Sequence, residues 1–294
     1  MTAQSKFISG HTHLVSLIGK PIRHSKSPVT HSVSFELQGV DCVYLAFDVD
    51  SVEDLDSILK AMRAMDGWDG SNVTMPFKQA VIPYLDGLSD GAELIGAVNT
   101  IKKTEDGKVI GHNTDGLGFV SNLRKHGVEV AGTTVTLTGP GGAGSAIMCQ
   151  LALDGVKKMN VFAREGGPSY KRTAERLDMI REKTGCDINL YAFEDKDAMK
   201  AAVAESDILV NATPVGMGDG STETPVPAEF IKEGMVVADA IYFPLMTQLL
   251  LDAEAKGCTV VTGIGMMNEQ GAIGEKIWHD IDMDVDAVTA ELNA

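Results

Sequence analysis

The sequence lacks long apolar runs, which argues against a protein with transmembrane helices. No stretch of 18 or more apolar residues occurs in the 294-residue chain, so no transmembrane helix is expected. Residues Met1 to Gly10 also lack the charged start and apolar core of a signal peptide. A cytoplasmic protein that does not enter a membrane is therefore predicted.

Paired cysteines are also missing. The four cysteines stand singly, without the close spacing of a zinc site or a disulfide framework; they are Cys42, Cys149, Cys186 and Cys258. They are predicted to be small buried apolar residues, and no metal is predicted.

The chain has few basic residues. It contains 25 Lys and Arg and 41 Asp and Glu, which gives a net charge of −16. Nucleic-acid binding depends on clustered basic residues that neutralise phosphates, so that class of partner is excluded. A small anion can still bind in a local basic pocket. The predicted partner is a small-molecule substrate, and whether the chain forms a homodimer stays open.

The first part of the chain alternates strands with helices. Strands are predicted at residues 13–19, 42–49 and 68–73, with helices at 29–38 and 52–65. This alternation indicates a parallel sheet with both faces covered. A hairpin is predicted where residues 97–101 and 108–111 flank Glu105-Asp-Gly107.

The polar loop before the first helix contains Ser25 and Ser27, one residue apart. Because Pro28 follows directly, Ser27 has two interpretations that stay open here. It is either the cap of the helix or a functional hydroxyl in the loop.

The segment from Asn72 to Lys78 contains an unusual lysine. Pro76 suits the first turn of a helix capped by Thr74 or Met75, which would place Lys78 in that turn. A cation is unfavourable there, and partial burial would lower the pKa of its amine further, as a general acid/base requires. A solvated surface lysine is the alternative.

Asp115 follows a predicted strand and would lie at the start of a helix over residues 117–126. The helix dipole favours a carboxylate there, so a plain N-cap is the alternative to a functional role. We place the domain boundary at this point. The first domain is predicted to span residues 1–114, with 264–294 packing back on it, and the second to span 115–263.

The second domain opens with a strand over residues 133–138 that runs into Gly139-Pro-Gly-Gly-Ala-Gly144. Gly139, Gly141 and Gly144 match G-x-G-x-x-G, and an apolar helix follows. Such a turn, which includes Gly142 and Ala143, lets the backbone approach a pyrophosphate at a helix N-terminus. Between a strand and a helix, this pattern predicts binding of NAD or NADP.

Cofactor choice depends on Arg164 and Glu165, about 20 residues beyond the last of these glycines. An acid there favours NAD and an arginine favours NADP. NAD is favoured, because no second basic residue follows before Lys171. Further candidate cofactor contacts lie at the carboxyl ends of later strands, where open α/β sheets bind ligands; they are Thr213, Pro214, Ile241 and Gly263.

Seven motifs together resemble the shikimate dehydrogenase family, and within it most closely the quinate/shikimate dehydrogenases. In chain order they are Ser25-Lys-Ser-Pro28, Asn72-Val-Thr-Met-Pro-Phe-Lys78, Ala97-Val-Asn-Thr100, Asn113-Thr-Asp-Gly116, Gly139 to Gly144, Asn211-Ala-Thr213, and Gly263-Ile-Gly-Met with Gln270. The resemblance covers nearly the whole chain. It implies an α/β protein of two domains: an N-terminal substrate domain, a Rossmann-type dinucleotide-binding domain, and C-terminal helices that return to the first.

The resemblance also implies the site. Lys78 and Asp115 would be the catalytic pair. The remaining substrate contacts would come from Ser25, Ser27, Thr74, Asn99 and Gln270, with Asn72 and Tyr242 nearby. Hydroxyl and amide groups of this kind suit a polyol acid, because a site that hydrogen-bonds hydroxyls rejects analogues without them.

The implied reaction is the NAD(P)-dependent, reversible reduction of 3-dehydroshikimate to shikimate, and of 3-dehydroquinate to quinate, in aromatic amino acid biosynthesis or quinate use. Two alternatives stay open. One is a paralogue that acts on another small cyclohexene or cyclohexane acid, and the other is a non-catalytic ligand sensor. The sequence departs from the family pattern at three places. His112 is expected to have no effect, whereas Pro214 and Ala163-Arg-Glu165 bear on cofactor preference and nicotinamide contacts.

Overall fold

The computed structural model describes residues 8–23 and 25–292, which divide into two compact units. Unit 1 is Met1–Thr114 with Gly271–Ala294, and unit 2 is Asp115–Gln270. The sequence analysis placed the return to the first domain at residue 264, so the two divisions differ over residues 264–270. The expectation about the first ten residues lies largely outside the described residues, as do the outermost ends of the predicted first domain.

The described part of unit 1 contains six strands and five α-helices, one of which it shares with unit 2. In chain order its elements are β1 (His13–Gly19), α1 (Ser27–Gln38), β2 (Cys42–Asp48), α2 (Val52–Arg63), β3 (Trp68–Val73), β4 (Gly87–Leu88), α3 (Asp90–Ile95), β5 (Thr100–Lys103) and β6 (Val109–His112), with α9 (Gly263–His279) and α10 (Val285–Leu292) at the end of the chain.

The strands of unit 1 form one sheet in the order β2-β1-β3-β5-β6-β4. β1 pairs in parallel with β2 and with β3, which confirms the parallel arrangement predicted from the alternation. β5 pairs antiparallel with β6. Gly107, in the turn between them, has a φ of 79°, so the predicted hairpin is confirmed. Because β1, β2 and β3 are parallel, their carboxyl ends share one edge of the sheet.

Both faces of this sheet are buried. One face packs Ile18, Leu55 and Trp68 into a core with α2. The other packs Phe35, Tyr44 and Trp278. The indole N–H of Trp278 donates to the Ile101 carbonyl at 2.9 Å, which ties the end of α9 to β5.

The interpretation of Ser27 as a helix cap is wrong. α1 begins at Ser27 itself, and the residue at the N-cap position is Lys26, whose side chain makes no capping hydrogen bond. Pro28, in the first turn, supplies the fixed φ that starts the helix instead. The hydroxyl of Ser27 is therefore available for other partners.

The helix predicted to start at Pro76 is also wrong. The chain makes turns there, and the next helical residues are a short 3₁₀ helix at Ile82–Tyr84. The reason is tertiary: the Lys78 carbonyl accepts from the Val98 N–H at 2.7 Å instead of from its own next turn. Phe77, only 2% exposed, anchors the segment in the core. The helix-dipole argument for Lys78 has no basis in this geometry.

Unit 2 alternates strands and helices throughout. Its elements are α4 (Asp115–Lys125), β7 (Thr134–Thr138), α5 (Gly142–Leu153), β8 (Lys158–Ala163), α6 (Pro168–Thr184), β9 (Asp187–Ala192), α7 (Lys196–Glu205), β10 (Ile208–Asn211), β11 (Val236–Asp239), α8 (Gln248–Glu254) and β12 (Thr259–Val261), together with the first part of α9.

The sheet of unit 2 is parallel in every pairing, with the order β12-β11-β10-β7-β8-β9. The order turns at β7, which lies between β10 and β8, and α5 starts immediately after β7. This is a doubly wound Rossmann-type arrangement, whose ligands bind beyond the carboxyl ends of the strands. α8 has no counterpart in the sequence analysis, although Thr247 caps it by accepting from the Leu250 N–H.

α9 belongs to both units, which explains why the predicted and observed boundaries differ. Its first turns pack on α4 through glycines: a Cβ on Gly118 would collide with Gln270, and one on Gly265 with Asn122. Its last turns pack into unit 1 through Trp278. Among the described helices, none is long and apolar enough to span a membrane.

Burial of the cysteines matches the sequence analysis for three of the four; these are Cys42, Cys149 and Cys186. Burial raises the pKa of the Cys149 thiol to about 12 and that of Cys186 to about 11. Cys258 is only half-buried.

Candidate functional site

A chain of hydroxyl and amide groups lies at the carboxyl end of β3 in unit 1. The Ser25 hydroxyl donates to the Ser27 hydroxyl at 3.2 Å, and Ser27 hydrogen-bonds to the buried Tyr44. Tyr44 in turn donates to the side-chain oxygen of Asn72 at 2.7 Å. Burial raises the pKa of Tyr44 above its usual range, so its hydroxyl stays protonated and keeps donating.

Asn72 extends this chain to the loops that follow. Its side-chain N–H groups donate to the Asn99 carbonyl and to the Thr100 hydroxyl, each at 3.1 Å. The side-chain oxygen of Asn99 accepts from the Thr114 backbone N–H at 2.8 Å. These amides are buried and mutually bonded, so the loop that leads into Asp115 is held in one geometry.

Lys78 and Thr74 lie in the segment that follows Asn72. Thr74 donates its backbone N–H to the Ile18 carbonyl at 2.9 Å, at the carboxyl end of β1. Lys78 is half-buried, and its backbone is fixed by Phe77 on one side and Val98 on the other. Its amine is thus carried by a rigid backbone.

In unit 2, the glycine-rich turn joins β7 to α5. Gly139 has a φ of 80°, a left-handed conformation that favours glycine. A Cβ on Gly144 would collide with the Gly139 carbonyl, so the helix packs close to the strand. By contrast, a Cβ on Gly141 or Gly142 would meet nothing within 4 Å. The N-terminus of α5 therefore has open space beside it, which fits a pyrophosphate.

A buried polar network joins the carboxyl ends of β7, β10 and β11. Asn211 donates to the Asp239 carboxylate at 3.0 Å and accepts from the Thr138 hydroxyl at 3.1 Å. It also accepts from the Thr213 hydroxyl at 2.7 Å. Burial raises the pKa of Asp239, although hydrogen bonds from Ile241, Thr247 and Asn211 oppose the shift. This network fixes the loop that contains Thr213 next to the glycine turn.

Arg164 and Glu165 are both exposed, directly beyond the end of β8. The Glu165 backbone N–H donates to the Glu194 carboxylate at 3.4 Å. A second carboxylate therefore lies beside the position where a ribose is read in this type of fold.

The remaining predicted site residues also lie in unit 2. Asp115 is the first residue of α4, and Gln270, in α9, donates its side-chain N–H to the Met267 carbonyl at 3.1 Å. Ile241 is buried and Tyr242 is 57% exposed. Gly263 starts α9 so close to β11 that a Cβ would collide with the Ile241 carbonyl.

The comparisons with known proteins agree with this arrangement. A family model described as the shikimate dehydrogenase substrate binding domain matches residues 17–101. A shikimate dehydrogenase (NADP(+)) of Listeria monocytogenes is 43% identical over 284 residues, which cover 96% of both chains. The chain belongs to the shikimate dehydrogenase family. It is an oxidoreductase, and the resemblance noted in the sequence is confirmed.

Solved structures of the shikimate dehydrogenase family and its neighbours have the same fold. Shikimate 5-dehydrogenase from Listeria monocytogenes, in complex with shikimate and NAD, aligns with a TM-score of 0.93 at 41% identity, over 98% of this chain and 99% of that one. Quinate dehydrogenase from Corynebacterium glutamicum, in complex with NAD, aligns at 0.84 and 30% identity, over 96% and 99%. The ligand-free 5-ketofructose reductase of a Gluconobacter strain aligns at 0.86 and 32% identity, over 97% and 99%. The two-domain α/β fold predicted for a shikimate dehydrogenase is confirmed.

Sequence reasoning missed several buried polar residues within the two units. Tyr44, Thr100 and Asp239 were not singled out, although each is buried and bonded to a predicted site residue or its neighbour. The only local signal was a hydroxyl or carboxylate at a buried strand position. The assigned roles of Lys78 and Asp115 remain predictions.

Proposed function

We propose that this chain catalyses the reversible, NAD(P)-dependent reduction of 3-dehydroshikimate to shikimate, and of 3-dehydroquinate to quinate. The observation that carries this proposal is family membership over nearly the whole chain. The rigid array of neutral hydrogen-bonding groups around Asn72 and Tyr44 supports it, because a polyol acid requires such groups.

Lys78 and Asp115 are the proposed catalytic pair. The Lys78 amine would take the proton from the ring hydroxyl in the oxidative direction and return it to the carbonyl oxygen in reduction. The Asp115 carboxylate would orient the ammonium form and stabilise its charge. When bound, the dinucleotide supplies or accepts the hydride.

Substrate orientation is assigned to the neutral groups. Ser25 and Ser27 would bind the substrate at one end of the hydrogen-bonded chain, and Asn72 and Asn99 at the other. Thr74, Gln270 and Tyr242 are proposed as further substrate contacts. Since Tyr44 donates to Asn72, it fixes which face of that amide is left to bind a ligand.

For the cofactor, we propose NAD in preference to NADP. The exposed carboxylate of Glu165 would accept from a ribose hydroxyl, and the nearby Glu194 would repel a 2′-phosphate. Arg164, by contrast, would favour NADP. Curated relatives carry NADP(+) in their names, so the test must include both nucleotides. The turn from Gly139 to Gly144, with Gly141, Gly142 and Ala143, would bind the phosphates. Thr213, Pro214, Ile241 and Gly263 would lie on the nicotinamide side.

The cofactor proposal is tested with two opposing variants. Glu165→Ser is expected to raise the ratio of kcat/KM for NADP to that for NAD, and Arg164→Ser is expected to lower it. Steady-state kinetics with both nucleotides measures the ratio. If the wild type prefers NADP and Glu165→Ser leaves that preference unchanged, the proposal of NAD is wrong.

Catalysis by Lys78 is tested by Lys78→Ala. Turnover is expected to fall by roughly 10²- to 10⁴-fold, the usual contribution of a general acid/base, while the melting temperature stays close to that of the wild type. Lys60→Ala is the matched control, because that lysine is exposed in an ion pair with Asp56. Near-normal turnover of Lys78→Ala, measured from nicotinamide absorbance, would contradict the assignment.

The similarity to a 5-ketofructose reductase favours a second candidate, a reductase for another small polyhydroxy ketone. Comparing kcat/KM for shikimate, quinate and 5-ketofructose separates the two. Absence of any absorbance change with all three would favour a non-catalytic sensor. We further propose a cytoplasmic location, and size-exclusion chromatography with light scattering would test whether the chain is a homodimer.

A further inference from the structure

Three potential metal ligands meet at the amino ends of the strands in unit 1, and a fourth lies beside them. Cys42 starts β2, His13 starts β1, Asp69 lies near the start of β3, and His279 ends α9. Donor atoms of Cys42, Asp69 and His279 all lie within 4.8 Å of one another. Nothing in the proposed reaction uses these residues.

His13 lies beside this cluster. One of its ring nitrogens, Nδ1, lies 2.8 Å from the Asp69 carboxylate, and Nε2 of His279 lies 2.8 Å from the same group. His13 and Cys42 are register partners on adjacent parallel strands, so both side chains project from the same face of the sheet. The chain therefore brings Cys42, Asp69 and His279 together, and places His13 next to Asp69.

The backbone around Asp69 is shaped for this meeting. The pairing of β1 with β3 shifts register between Leu14 and Val15, and Asp69 is the extra residue of that bulge. A bulge changes the direction of the side chain at its extra residue. Here it lets Asp69 reach the same face as Cys42.

His279 is held in a fixed position beside Asp69. Its Nε2 is bonded to Asp69, whereas its Nδ1 is buried and has no hydrogen-bond partner among the described residues. The ring packs edge-on against Phe35, with centroids 5.4 Å apart, so it is held in place. Its Nε2, which faces the Asp69 carboxylate, is the nitrogen placed to bind an ion in this cluster.

We propose that Cys42, Asp69 and His279 bind one zinc ion, with His13 as the fourth ligand. Thiolate, imidazole and carboxylate together suit zinc, whereas magnesium and calcium prefer oxygen ligands alone. Bonds of about 2.0–2.3 Å in a tetrahedron place donors roughly 3.3–3.7 Å apart. The donor atoms of Cys42, Asp69 and His279 lie within 4.8 Å of one another, so side-chain shifts bring them to these separations when zinc binds.

The site has a structural role. It joins the starts of β1, β2 and β3 to the end of α9, at the sheet edge opposite to Asn72. Zinc is therefore expected to raise the stability of unit 1 without changing kcat/KM for shikimate. The sequence analysis looked for closely spaced cysteines. It did not find this site, because only one of the four proposed ligands is a cysteine.

The test uses tag-free, chelator-treated full-length protein with zinc alone, and with cobalt as a spectroscopic probe. One equivalent of cobalt is expected to give a sulfur-to-cobalt charge-transfer band in the near-ultraviolet. Zinc at about 100 times its dissociation constant is expected to raise the melting temperature by on the order of 5–10 °C. Magnesium is expected to do neither.

Variants assign the effect to these residues. Cys42→Ala is expected to abolish the band and the thermal shift, and Cys258→Ala, which removes a more accessible thiol in unit 2, is expected to keep both. His13→Gln, at a half-exposed side chain, should weaken zinc binding at least tenfold. Absence of the band in the wild type, or its survival in Cys42→Ala, overturns the proposal. If Cys42→Ala does not fold, the wild-type titration and His279→Gln decide in the same way.

Discussion

Tyr44 offers the sharpest test of how the substrate site is built. In Tyr44→Phe the ring is kept and one hydroxyl is lost. This removes the donor that Asn72 accepts from at 2.7 Å, and it removes one partner of Ser27. Each hydrogen bond of this kind contributes about 1 kcal/mol, so the loss is about 2 kcal/mol. In a unit of this size, that lowers the melting temperature by on the order of 6 °C.

The same change is expected to lower activity. Because Asn72 and Ser27 lose their fixed orientation, we expect about 2 kcal/mol less binding in the transition state, which is a roughly 30-fold decrease in kcat/KM for shikimate. KM for the dinucleotide should not change. Burial raises the pKa of Tyr44, so the wild-type hydroxyl stays protonated and the ratio of mutant to wild-type kcat/KM should be constant from about pH 6 to about pH 9.

The assay is steady-state kinetics together with thermal unfolding, and Tyr191→Phe in unit 2 is the matched control. Tyr191 stacks on Phe162 and has no part in the proposed site. If Tyr44→Phe behaves like this control in both measurements, the hydrogen-bonded chain does not orient the substrate groups. A lower melting temperature with unchanged kcat/KM would limit Tyr44 to a structural role.

Two further predictions concern unit 2 and the pH dependence of stability. Gly144→Ala places a Cβ against the Gly139 carbonyl and should both lower the melting temperature and raise KM for the dinucleotide, whereas Gly142→Ala, beside open space, should raise KM alone. Burial would raise the pKa of Asp69, but hydrogen bonds from its two histidines outweigh it and lower the pKa. Its contribution to stability is thus present above about pH 4 and is lost as the pH falls through the folded-state pKa. Burial raises the pKa of Asp239, so its contribution has the opposite sign: it is present below about pH 4 and is lost as the pH rises through the folded-state pKa.

These outcomes are measured by urea unfolding of Asp69→Asn and Asp239→Asn against the wild type over a range of acidic pH, with chelator present. The wild type should lose stability relative to Asp69→Asn on acidification and gain it relative to Asp239→Asn. Parallel pH profiles for both variants would show that the two carboxyl groups titrate alike in the folded and unfolded states. For the glycines, an equal loss of melting temperature in both variants would contradict the open space at Gly142.

Local patterns in the sequence were enough to predict the sheets and the glycine turn. The turn after β7 depends on residues within one strand-to-helix connection, and hydrophobic alternation located most strands. The segment at Pro76 was predicted as a helix because Pro and Thr favour a helix start. The decisive contact, from Val98 to the Lys78 carbonyl, comes from a residue 20 positions away and has no local signal.

Some polar residues of the two units could be predicted from a local motif, and others could not. Asn72 and Lys78 were found because they stand in a recognisable motif. Tyr44 was missed because its partner, Asn72, is 28 residues away on another strand, and a tyrosine in a strand is ordinary. Asp239 was missed because nothing local distinguishes a buried carboxylate from one at the surface.

The shared helix α9 has a consequence for the order of folding during synthesis. Unit 1 takes two buried side chains, Trp278 and Val288, from a segment made after all of unit 2, and Gly70 packs directly against the Trp278 indole. As the ribosome releases the chain from its N-terminus, the residues of unit 2 are complete while one face of the first sheet still lacks its cover. We therefore expect the second unit to reach its native state first, and the first unit to close only when the final two helices leave the exit tunnel.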